Sequence, residues 1–139
     1  MKTLALILGL LISGIIANAQ DAKGFTIKVT IENVLSDEGQ ILAALHTQDT
    51  FMKGAGIQSF GAEAKTGSIS FTFEDVKPGT YAISTLHDAN ENQRMDYQDS
   101  GMPNENYAMS GNEMIMGPPT FQDVKFEVSN EDLELKLRF

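Results

Sequence analysis

YAISTLHDANENQRMDYQDSGMPNEN, residues Tyr81 to Asn106, changes character once, at His87. Tyr81 to His87 reads as a mostly apolar strand; beyond it nearly every other side chain carries an oxygen. Asp88, Asn90, Asn92, Asp96 and Asp99 fall at positions 1, 3, 5, 9 and 12, the ligand rhythm of a calcium loop. Arg94 at position 7 would supply its backbone carbonyl, Glu105 lies within reach just past Met102-Pro103, and Gly101 lets the backbone turn out of the site. Two positions depart from the pattern. Gln93 stands at position 6, where such loops carry Gly, and Asp99 stands at position 12 in place of the longer Glu. Both point to weak binding, with a dissociation constant of about 10⁻⁴ to 10⁻³ M, the range of extracellular modules. The plainer alternative is a solvated Asx-rich loop, since Asp and Asn favour turns. Against it, Asp88, Asp96, Asp99 and Glu105 would repel one another if they converged without a cation.

On either side of this stretch the periodicity is that of strands. Phe25, Ile27, Val29 and Ile31 alternate with Thr26, Lys28, Thr30 and Glu32, which predicts a half-buried strand over Phe25 to Val34. Ser36-Asp37-Glu38-Gly39 is a turn, and Gln40 to His46 a second strand, apolar on both faces; the two are expected to form a hairpin. Thr47 to Thr66 has no clear period and reads as a long loop capping the core, with room for a short helix or strand around Asp49 to Lys53. Ser68 to Phe73 alternates again. Lys77-Pro78-Gly79-Thr80 is a turn, with Pro presetting φ and Gly permitting a positive one. Tyr107 to Ser110 could pair briefly, and Phe121 to Val128 and Leu133 to Phe139 complete the set. About seven strands at short spacing, with no convincing helix, predict an all-β, antiparallel Greek-key sandwich in one domain.

The N-terminus sets the expected address. A basic Met1-Lys2, an apolar run from Leu4 to Ile16 and the small-x-small Ala17-Asn18-Ala19 read as a signal peptide over residues 1–19. Residues 20–139 then form the domain, 139 − 19 = 120 residues, enough for one core. The expected location is periplasmic or extracellular, without membrane insertion after cleavage. The net charge of −9 becomes −10 without Lys2; this disfavours nucleic acid and anionic membrane as partners and favours cations. The chain has no Cys, so no disulfide staples it.

These motifs together resemble a bacterial family of secreted domains of unknown function, family 2141. The resemblance rests on Pro78, Gly79, Tyr81 and Ala82; then His87, Asp88, Asn90, Asn92 and Asp96; then Gly101, Pro103, Glu105 and Tyr107; then Pro118, Pro119 and Phe121. It covers nearly the whole domain, and Gln93 departs from the Gly of the family pattern. The loop is also similar to calcium loops in the B-type repeat domains of Gram-positive surface adhesins. The resemblance implies a seven-stranded prealbumin-like sandwich and no enzyme activity.

Three functions are compatible with these residues. The first is a calcium-stabilised binding or structural module that presents a surface to a protein or glycan. The second is a copper-handling protein using Met95, Met102, Met109, Met114 and Met116 with His46 and His87, since thioethers suit Cu(I). Core filling is the commoner use of Met, and strand-end hydrogen bonding the commoner use of such His. The third is a hydrolase built on Asp88, His87 and Ser84 or Ser110, which no nucleophile-elbow sequence supports.

Overall fold

The computed structural model describes residues 22–111 and 117–139. The signal-peptide reading over residues 1–19, and Met114 and Met116, lie outside the described residues. The elements are β1 (Phe25–Val34), β2 (Gln40–His46), β3 (Gln58–Glu63), β4 (Gly67–Val76), β5 (Gly79–Asp88), β6 (Tyr107–Met109), α1 (Phe121–Val124), β7 (Phe126–Val128) and β8 (Leu133–Arg138). They form two sheets, one in the order β4-β1-β8, the other in the order β3-β2-β5-β6 with β7 pairing the start of β5. Ile27, Val29, Ile31, Phe71, Phe73 and Leu137 from the first sheet and Ile41, Ala43, Leu45 and Ile83 from the second share one buried cluster, so the sheets face each other across a single core. The all-β class expected from alternation is what the chain adopts, with one short helix added. Among the described residues no helix is long and apolar enough to cross a membrane.

Four expectations need correction. First, β1 and β2 are not a hairpin. β1 pairs with β4 and β8, while β2 pairs with β3 and β5. Asn33 takes a left-handed φ of 64° at a register shift near the end of β1, and the chain leaves this sheet after Val34. Crossing over lets the apolar faces of the two strands meet across the core. Second, the strands are not all antiparallel. β8 runs parallel to β1, setting Leu133, Leu135 and Leu137 beside Ile27, Val29 and Ile31.

Third, eight strands are described and not seven, because β3 forms inside the stretch read as a loop. Its Phe60 stacks on Phe71 with ring centroids 4.1 Å apart and planes within 5° of parallel. The preceding Asp49 to Lys53 segment forms hydrogen-bonded turns, with Thr50 N–H donating to Thr47 O and Lys53 N–H to Thr50 O. Fourth, Phe121 to Val128 is not one strand. Asp123 reaches back to accept from the Thr120 N–H at 2.8 Å and the Thr120 hydroxyl at 2.6 Å, which fastens one helical turn before β7 begins. Phe121 and Val124 bury their side chains with Ala82, against Phe51 and Met109.

The β1–β4 pairing has a direct test, since the native chain has no Cys. The hydroxyls of Thr30 and Ser70 touch at 2.9 Å across the two strands. The double variant Thr30→Cys/Ser70→Cys is expected to oxidise to a disulfide and to gain up to about 4 kcal/mol of stability from the closed loop. Denaturant unfolding with and without reductant measures this. A pair that stays reduced would refute the register.

Candidate functional site

The acidic loop hangs between β5 and β6, and its root is Asp88. This side chain is fully buried at the end of β5. Its Oδ1 accepts from the Asn92 N–H at 3.2 Å, and its Oδ2 from the Gln93 N–H at 2.8 Å and from Gln40 Nε2 at 2.9 Å. Three donors from two segments replace the water that a carboxylate would otherwise need. To bring its N–H onto Asp88, the chain reverses through two left-handed residues, Glu91 (φ 57°) and Gln93 (φ 63°). Position 6 of a calcium loop carries Gly for this sharp turn. Here Gln93 makes the turn with a side chain attached.

Asp96 is the second centre. Its carboxylate accepts from Asn90 Nδ2 at 2.6 Å and from Asn92 Nδ2 at 2.9 Å to each oxygen. The Oδ1 atoms of the same two amides are used by the backbone: Asn90 accepts from the Asn92 N–H and Asn92 from the Arg94 N–H. Glu105 closes the loop from its far end, with Oε1 accepting from the Ala89 N–H at 3.2 Å and Oε2 from the Asp96 N–H at 3.3 Å. Asp88, Asn90, Asn92, Asp96 and Glu105 therefore belong to one hydrogen-bonded network, which Arg94 joins through its backbone N–H.

Asp99 does not join it. Asn104 N–H donates to Asp96 O, Gln98 N–H to Met102 O, and Tyr97 bridges to Pro103. These bonds make a small hairpin with Asp99 at its tip, beyond both rungs. Tyr97 and Met102 on that hairpin are each 62% exposed. An open cleft of about 140 Å³ lies beside the loop, lined by Leu35, Ser36, His87, Ala89, Asn104, Glu105 and Asn106.

In donor type the network suits a hard cation, because its carboxylates and carboxamides all offer oxygen. In arrangement it is held by N–H donors. Among the described residues no three His, Cys, Asp or Glu side chains stand together as a metal-holding group.

The two histidines bind within the fold. His46 is buried, with Nδ1 at 2.9 Å from Thr50 O and Nε2 at 3.0 Å from Ser84 Oγ. A carbonyl can only accept, so Nδ1 carries the proton and Nε2 accepts from the Ser84 hydroxyl. His87 donates from Nε2 to Glu38 O at 2.7 Å and stacks on Phe139. The residues of the hydrolase reading lie in separate bonds: Ser84 with His46, Ser110 with Val124 O and Ile83 N–H, and Asp88 with the loop. Met109 packs against the smaller apolar cluster, while Met102 faces solvent. Sequence reasoning missed the anchoring by Gln40, a strand residue distant in the chain, and the role of Ser84 as partner to His46.

The profile of a family described as uncharacterised proteins conserved in bacteria, DUF2141, matches residues 29–136. The chain belongs to this family. The match runs from within β1 into β8, so the family's domain includes both sheets and the acidic loop. No curated protein and no solved structure matches the chain.

Burial pushes the His46 pKa below its usual 6.5, against the opposing pull of the Thr50 carbonyl. The unfolded chain therefore takes up its proton first as pH falls. The contribution from neutral His46 is complete above pH 6.5 and is lost as pH drops from there through the folded-state pKa. The expected result is a weaker pH dependence of stability below neutrality in His46→Gln than in the native protein. Urea midpoints between pH 7.5 and 5 measure it, and identical profiles would refute the assignment.

Proposed function

We propose that the protein is an exported, calcium-stabilised binding or structural module, a prealbumin-like Greek-key sandwich whose β5–β6 loop presents a surface to a protein or glycan. The carrying observation is the backbone at Gln93. This residue occupies the position where calcium loops carry Gly, holds the left-handed φ that such a position needs, and donates its N–H to the carboxylate at position 1. That conformation in a residue with a side chain is disfavoured by about 1–2 kcal/mol, and the bond to Asp88 offsets the cost.

Asp88, Asp96, Asn90, Asn92 and Glu105 would hold the ion, with the Arg94 carbonyl as a further donor and Asp99 as an outer one. When bound, the cation would neutralise carboxylates that now rely on N–H donors alone. Its role is structural: it fixes the path of the loop, and with it the exposed Tyr97 and Met102 and the adjoining cleft. Export to the periplasm or cell surface, following cleavage after Ala19, would place the loop where millimolar calcium matches weak affinity.

Thermal unfolding in EDTA and in calcium tests the reading. Calcium at tenfold over its dissociation constant is expected to add about 1.4 kcal/mol, and Asp96→Asn to abolish the increment. Gln93→Gly, by relieving the left-handed strain, is expected to stabilise the apo form by about 1 kcal/mol. A midpoint indifferent to both EDTA and calcium in the native protein and in Gln93→Gly would overturn the proposal.

A further inference from the structure

β4 is an edge strand of an unusual kind. It lies at the end of its sheet, and among the described residues no strand pairs with its other side. Edge strands are commonly guarded by Lys, Pro or a bulge. Over Gly67 to Phe73, GSISFTF, β4 has no charge and no Pro; its pairing with β1 is regular from Ile69 to Phe73, with register shifts on either side, near Gly67 and near Asp75. Ser68, Ser70 and Thr72 are exposed, while Phe71 and Phe73 are buried and Ile69 is half-buried.

Two observations show which backbone groups are free. Glu74 O accepts from Gln58 Nε2 of β3 at 2.8 Å, so it points away from β1. The Thr30 and Ser70 hydroxyls touch at 2.9 Å, the close approach of a pair whose backbone groups do not bond each other. By alternation the N–H and C=O groups of Ser68, Ser70 and Thr72 point to the open side.

We propose that this edge pairs with the same edge of a second copy, making a closed two-fold dimer centred on Ser70. The occupant follows from the register. Antiparallel pairing about Ser70 sets Ser68 opposite Thr72 and Ile69 opposite Phe71 of the second copy. The outer face then matches small hydroxyl residues with one another, and the inner face extends the apolar core. About six backbone hydrogen bonds form, two at each of three residue pairs. A closed two-fold also removes the exposed edge that an open, growing contact would leave available.

Light scattering on the purified protein across a concentration series is expected to give a mass near twice that of one chain, independent of calcium. Ser70→Pro removes an N–H that bonds nothing in β1, so it is expected to yield a folded monomer. Ser70→Lys leaves the backbone intact but sets two ammonium groups opposite each other, and is also expected to be monomeric. Mixing Ser70→Lys with Ser70→Glu should restore a dimer containing one of each. A native protein that stays monomeric at millimolar concentration overturns the proposal. So do open polymers without a dimer plateau, or a dimer that survives both Ser70→Pro and Ser70→Lys.

Discussion

Asp88 ends β5 with its carboxylate wholly buried and with N–H donors from Gln40, Asn92 and Gln93 gathered on it. A buried charge without such donors would be several kcal/mol too costly to keep. The loop path follows from meeting that need. The backbone reverses within five residues to deliver two N–H groups, and Gln40 of the neighbouring β2 supplies the third. Glu105 repeats the device at the far end with Ala89 and Asp96. Two carboxylates acting as acceptors for backbone N–H groups thus organise a segment that has almost no apolar surface of its own.

The limits of β1 were readable because it carries its period openly: Ile27, Val29 and Ile31 inward, Lys28 and Thr30 outward. Period two says which face is buried and is silent about which strand lies alongside, so the chain's crossing to the second sheet after Val34 and the parallel β1–β8 pair were not legible. β3 escaped because only Phe60 and Ala62 carry its inward face, with Gly61 between them. α1 left a signal in Thr120 and Asp123, three residues apart after two prolines, but one turn is too short to show a helical period. The acidic loop between β5 and β6 was legible in its residue types and spacing. What spacing could not reveal was the hairpin from Asp96 to Asn104, which rests on backbone bonds and carries Asp99 outward.

Pairing the first strand with the last has a kinetic consequence. β1 is central in its sheet, and half of its ladder is supplied by β8, the last strand of the chain. Such long-range pairings form slowly, because loop closure precedes their reward. Until β8 arrives, β1 and β4 form a two-stranded ribbon with both edges open, and a lone pair of strands is marginal in water. The domain cannot complete its core until its whole length is available.

Gln93 shows how a buried carboxylate can hold a left-handed turn in a residue other than glycine. Glycine at that position lowers the energy of the left-handed conformation; it does not create the demand for it. The demand comes from Asp88, whose Oδ2 lies 2.8 Å from the Gln93 N–H. If glycine alone specified the turn, a glutamine there would relax to a right-handed or extended φ and swing its N–H off the carboxylate. Instead φ stays at 63°. The hydrogen bonds to a buried, charged acceptor, each worth about 1.5–3 kcal/mol, exceed the backbone strain of about 1–2 kcal/mol. The Asp88 carboxylate therefore sets this turn, whatever residue type donates the N–H.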